Sequence, residues 1–235
     1  MTKGKLYMIP TYLAETTPCD TFPAANADVV KSVRHYVVEN ARTARRFLKS
    51  IDKSIDIDSL TMSELSEHSV NANTAQMLAA AENGEDVAMV SEAGCPGVAD
   101  PGADLAAEAH RKGIQVVPLV GPSSLLMSLM ASGLNGQNFA FSGYLPIGSE
   151  LTKALRKMED RSQKEKQTQI FIEAPYRNDK MLQTLLQTLK AETRLCVARD
   201  IMGPEELILT KRVADWRKTT LPELHKRPTV FLFLA

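Results

Sequence analysis

Residues 91–104, SEAGCPGVADPGAD, gather the residue types that shape a ligand loop. Gly94, Gly97 and Gly102 permit positive φ and close approach of a backbone to a ligand. Pro96 and Pro101 stiffen the path between them. An apolar run, residues 87–90, leads into the loop, and a helix signal starting near Asp104 leads out of it. The first amides of such a helix lack intrahelical partners. A loop of this kind can cradle a polar ligand with main-chain groups. The competing role is a stiff strand-to-helix connector in which Asp100 or Asp104 caps the helix. The loop exceeds the roughly 2–6 residues of a plain βα connection, which favours the ligand role. Cys95 has no evident base beside it and reads as a small apolar filler rather than a nucleophile.

A second such turn is VGPSS, residues 120–124, where Ser123 and Ser124 can either cap the following helix or hydrogen-bond a ligand. Two familiar nucleotide loops are excluded: there is no GxxxxGK[ST], and IPTYLAET stands where a GxGxxG would follow the first strand. Three cysteines (Cys19, Cys95, Cys196) and four histidines (His35, His68, His110, His225) lie far apart, with no metal-ligand spacing, so no bound metal is expected. Lys plus Arg equals Asp plus Glu, 28 each, so the chain as a whole exerts no pull on a polyanion. A local exception is RTARRFLK, where Arg42, Arg45 and Lys49 share one helical face that can meet phosphates or simply face solvent.

These residues must be positioned by alternating strands and helices. KLYMIP, YVVEN, DVAMVS and IQVVPLV read as strands, the third and fourth as buried ones. AANADVVKSVRHY, with Asn26 as a possible cap, ARTARRFLKSI, SVNANTAQMLAAAENG, ADLAAEAHRKG and PSSLLMSLMASG read as helices. FAFSGYLP, QTQIFIEAP, RLCVARD and PTVFLFLA continue as strands, with SELTKALRKMEDRSQKE and NDKMLQTLLQTLKAE as helices and EELILTKRVADWRK as a strand with a polar turn. The alternation predicts two α/β domains, 1–118 and 119–235, with mostly parallel and mixed sheets and a cleft between them. Ligands in such sheets bind beyond the carboxyl ends of strands, here after Ile9, Val90 and Val120. No apolar run reaches the roughly 18 residues of a membrane span, so a cytoplasmic protein is expected.

Taken in order, IPT, VENARTARRFL, VAMVSEAGCPGVADPG, VVPLVGPSS, ASGLNGQNFAFSGYLP, IFIEAPYR and VARD resemble the tetrapyrrole-methylase superfamily. The resemblance is closest to its branch of S-adenosylmethionine-dependent methyltransferases that modify a ribose 2′-oxygen of small-subunit ribosomal RNA. It implies a homodimer of two-domain subunits with S-adenosylmethionine in the cleft. By the resemblance, Pro10 closes over the cofactor, Ala93, Gly94, Cys95 and Pro96 wrap its methionine part, and Ser123 and Ser124 contribute beside them. Glu173, Arg199 and Thr229 would lie near the adenosine.

Methyl transfer from a sulfonium needs alignment and dryness more than protein side chains, because the donor is intrinsically reactive. A hydroxyl acceptor must also lose a proton, and Glu39, Glu92 and Asp100 are the candidate bases. Capping or ion pairing is the alternative for each. The resemblance adds RNA contact to the basic face of Arg42, Arg45 and Lys49. The expected function is methylation of ribosomal RNA ribose; the alternatives are a methyltransferase of a small molecule such as a tetrapyrrole, or a non-catalytic cofactor-binding homologue.

Overall fold

The computed structural model describes residues 2–14, 21–65 and 74–235. Cys19, His68 and residues 69–73 of one expected helix lie outside the described residues. The chain divides into two compact units, Met1–Ser123 and Ser124–Ala235.

The first unit is built on a five-stranded sheet in the order β3-β2-β4-β1-β5, parallel throughout. Its strands are β1 (Lys5–Ile9), β2 (His35–Val38), β3 (Thr61–Glu64), β4 (Val87–Val90) and β5 (Gln115–Pro118). Alternation along the central strands sends side chains to two cores. Ile9, Tyr36, Val38, Ala88 and Val90 pack on one face beneath α1 (Ala24–Ser32) and α2 (Ala41–Ile51). Leu6, Met8, Val37, Val87 and Met89 pack on the other beneath α3 (Thr74–Met77), α4 (Ala79–Glu82) and α5 (Ala103–Arg111). A sheet covered on both faces requires continuous apolar strands, and β4 is buried at every position.

Several local expectations give way to tertiary context. Asn26 lies inside α1, where its side chain reaches the Val120 carbonyl at 2.6 Å, and Pro23 stands at the cap position. The helix stops at Ser32, because His35 and Tyr36 belong to β2. β5 is a half-exposed edge strand rather than a buried one. β3, an edge strand with no buried residue, carries no strong apolar pattern and is absent from the sequence reading.

The second unit has the order β6-β7-β10-β8-β9, formed by β6 (Phe139–Tyr144), β7 (Thr168–Ile172), β8 (Arg194–Arg199), β9 (Leu207–Arg212) and β10 (Thr229–Leu234). Only β6 and β7 are parallel; β10 runs antiparallel to β7 and β8, and β8 to β9. β8 and β9 follow one another with no crossover helix between them and so pair as a hairpin. Phe171, Phe231 and Phe233 face α7 (Ser149–Glu165), α8 (Asn178–Thr188) and α9 (Val213–Trp216), with the Phe171 and Phe231 rings stacked at 5.5 Å. α6 (Ser124–Ser132) also packs on this sheet, and Thr210 donates to the Ser132 carbonyl at 2.7 Å.

Candidate active site

In the first unit, the loops leaving β1, β4 and β5 meet at the carboxyl edge of the sheet. Thr11 and Gly94 form an isolated antiparallel bridge: the Thr11 amide donates to the Gly94 carbonyl at 2.9 Å, and the Gly94 amide donates back at 3.3 Å. Gly94 has φ +80°, and a Cβ there would lie 3.3 Å from Leu13. Gly121 packs directly on buried Pro10, since an added Cβ would fall 2.4 Å from the proline Cβ. The Cys95 thiol reaches the Pro122 carbonyl at 3.4 Å and interacts with Ser123. Burial, then the neighbouring Asp100 charge, pushes this thiol above its ordinary pKa, so it is no ready thiolate.

Neither Asp100 nor Asp104 caps α5. Gly102 occupies the cap position with φ +128° and no side-chain cap bond. Ala99, a non-glycine residue, sits at φ +64° just before Asp100. Ser124 is the first residue of α6 rather than a residue outside it.

The three candidate bases come together instead. Pairing of β2 with β4 brings Glu39 beside the central loop, and its carboxylate accepts the Glu92 amide at 3.0 Å. Thr43 donates its hydroxyl to the Glu92 carboxylate. Asp100 is pushed up to about 7, first by burial and then by the charge of Glu39; Ser91 opposes this with a hydrogen bond, and Glu92 adds a smaller push. A carboxyl with such a value can accept a proton near neutral pH.

The basic face follows on α2. Asn40 accepts the Arg42 and Thr43 amides at 2.9 and 3.3 Å, capping the helix. Ala44, Phe47 and Leu48 are buried, and Phe47 meets Tyr12 and Phe22 edge-on. Arg42, Arg45, Arg46 and Lys49 are exposed on the opposite side.

In the second unit, register aligns the three later residues. Thr229 pairs with Arg199, and Val230 pairs with Ile172, which places Glu173 next to Thr229 across the strands. Buried Glu173 accepts the Ala174 amide at 2.7 Å and the Arg177 guanidinium at 2.6 Å. Arg199 donates to the Glu223 and Glu205 carbonyls at 3.0 and 2.9 Å, so much of its guanidinium holds two loops. The Thr229 hydroxyl donates to the Arg227 carbonyl at 3.0 Å. Among the described residues, buried side-chain atoms without hydrogen-bond partners are Thr11 Oγ1 and Thr21 Oγ1 in the first unit and Asn178 Oδ1, Arg177 Nε and Arg199 Nε in the second, the last lying 3.3 Å from the Asp200 carboxylate. Such orphans are few in native proteins, and a bound water or ligand is one way of completing them.

Among the described residues, no group of three or more His, Cys, Asp or Glu could hold a metal ion, and no helix is long and apolar enough to cross a membrane.

A parallel sheet whose carboxyl-end loops converge on glycine, proline and acids has the layout of an α/β enzyme. More narrowly, the chain belongs to the tetrapyrrole (corrin/porphyrin) methylases, whose family model matches residues 24–216. It is 36% identical over 162 residues to the ribosomal RNA small subunit methyltransferase I of Mesorhizobium japonicum, covering 67% of this chain and 50% of that relative. The protein of the same name from Vibrio cholerae is 31% identical over 210 residues, 89% of this chain and 69% of its own length. The chain thus spans about half to two thirds of these relatives. Among solved structures, the methyltransferase CobJ superimposes with a TM-score of 0.65 at 18% identity, covering 98% of this chain and 94% of that one. The uroporphyrin-III-C-methyltransferase of Thermus thermophilus gives a TM-score of 0.56 at 19% identity, covering 98% and 92%. Both bear out the two-sheet α/β fold.

Proposed function

We propose that the chain is an S-adenosylmethionine-dependent methyltransferase acting on a ribose 2′-hydroxyl of small-subunit ribosomal RNA. One observation carries the reading: Asp100, a carboxyl pushed up to about 7, stands in the glycine-rich loop bridged to Thr11 and flanked by the Pro10–Gly121 contact. The same loop supplies both a place for a ligand and a group that can take a proton.

The residues fit a polar, zwitterionic cofactor. Gly94 gives both its main-chain groups to Thr11, so Ala93, Cys95 and Pro96 would line the ligand, with Pro10 and Ser123 beside them. The unpaired Thr11 hydroxyl suits a bound polar group. Ser124, Glu173, Arg199 and Thr229 are assigned to the cofactor as well, the last three on the adenosine side. When bound, the cofactor supplies a methyl group on a positively charged sulfur. The Asp100 carboxylate receives the hydroxyl proton of the acceptor as its oxygen attacks. Glu39 and Glu92 keep Asp100 basic, and the Thr43–Glu92 and Glu39–Glu92 contacts hold them in place. Arg42, Arg45 and Lys49 contact RNA phosphates.

We assign the protein to the cytoplasm, where its substrate resides, and to the homodimeric state. Sedimentation at micromolar concentration is expected to give twice the chain mass; a monomer would reject the dimer. The function is tested by incubating the protein with labelled S-adenosylmethionine and unmethylated small-subunit ribosomal RNA. Label at one ribose is expected. Label absent from RNA but present on a tetrapyrrole would reverse the substrate assignment.

A further inference from the structure

Large aromatic side chains left exposed on a folded surface mark contact sites when they cluster with a fixed charge. Tyr144 and Tyr176 are 60% and 62% exposed. They converge from different elements. Tyr144 ends β6 and pairs in register with Ile172 of β7, one residue before Glu173. Tyr176 lies in the turn Pro175–Arg177 that follows β7. Arg177 ends the same turn as Tyr176 and is anchored beside the end of β7, the strand that Tyr144 meets in register. Its guanidinium carbon lies 5.2 Å from the Tyr176 ring centroid, and a 2.6 Å bond to buried Glu173 holds it in place.

The charge balance says what this patch can recognise. Glu173 pairs with Arg177, so this guanidinium serves less as a lone cation than as a flat group held in place. What the patch offers is three flat, polarisable groups, one of them locked by an ion pair. Unpaired bases stack on aromatic rings and guanidinium planes in this way, and a tyrosine loses little freedom in doing so. We infer that Tyr144, Tyr176 and Arg177 form a stacking platform for an unpaired base of the RNA acceptor. The inference rests on the RNA reading of the function. It adds that the acceptor nucleotide or its neighbour is splayed out of a helix, because a paired base has no free face.

The test is fluorescence anisotropy with a short labelled single-stranded RNA and the same strand carrying abasic sites. Tyr176→Ala and Tyr144→Ala should each weaken binding of the intact strand by about tenfold, while Tyr176→Phe retains it. The abasic strand should bind the unaltered protein as weakly as Tyr176→Ala binds the intact one. Both tyrosines are more than half exposed, so their truncation leaves the fold standing. Equal RNA binding by Tyr176→Ala and the unaltered protein would overturn the platform alone. Failure of the unaltered protein to bind any RNA would overturn the RNA reading and the platform with it. Weakened S-adenosylhomocysteine binding with RNA affinity intact would give the rings to the cofactor, and a switch from dimer to monomer would give them to a second copy; either result overturns the inference.

Discussion

Asp100 combines a position and a protonation state that the sequence alone could not join. Glycine, proline and acid types in the loop were legible by composition. The carboxylate cluster was not, because Glu39 lies 53 residues from Glu92 and reaches it only through the pairing of β2 with β4. The cluster makes a signed prediction. The Asp100 carboxyl titrates near 3.8 when unfolded and about 7 when folded, so the native state binds the proton more tightly across that window. Stability is therefore lost as pH rises from about 4 to 7, and Asp100→Asn removes that loss. Denaturant unfolding near pH 8 should show the variant gaining on the unaltered protein, with no such gain near pH 4. The reaction runs the other way. Its rate should climb through pH 7 as Asp100 ionises, and Asp100→Asn should lower kcat by roughly 10²–10⁴ with cofactor affinity retained. A variant with an unchanged pH profile would remove Asp100 from the mechanism. Gly121→Ala probes the neighbouring contact. Its methyl would meet the rigid Pro10 ring, and chemical denaturation should show a loss of about 1–3 kcal/mol.

Helix α2 was the most legible element. The three-to-four spacing puts Arg42, Arg45 and Lys49 on one helical face; the structure exposes that face and buries Ala44, Phe47 and Leu48 on the other. Elements governed by long-range pairing were less legible. The helix signal at 24–36 overran into β2, and nothing in EELILTKRVADWRK showed that β9 would pair antiparallel with β8. Propensity describes neighbours in sequence, whereas register depends on partners far along the chain. The exposed face of α2 gives its own prediction. Replacing Arg42, Arg45 and Lys49 together by Glu should weaken RNA binding and flatten its salt dependence by about 0.7 in logarithmic slope per lost single-strand phosphate contact. S-adenosylhomocysteine affinity, measured by calorimetry, should stay put. An unaltered salt slope would leave α2 as a solvated surface.

At the scale of the whole molecule, each unit has its own sheet and its own cores, and the strand alternation announced the α/β class before any contact was known. A ligand that binds only the folded chain must raise its stability. S-adenosylhomocysteine at a hundred times its Kd should add about 2.7 kcal/mol, read as a rise in Tm; no rise at millimolar ligand would reject the cofactor. The sheet order of the first unit also bears on how the chain is made. β1 lies between β4 and β5 and is bonded to no earlier strand of its sheet. At about 5–20 residues per second, a ribosome needs roughly 4–16 s to pass from the end of β1 to the start of β4. For that interval an apolar strand, with both its edges open, leaves the exit tunnel without a partner. The yield of folded chain should therefore fall when synthesis slows between β1 and β4.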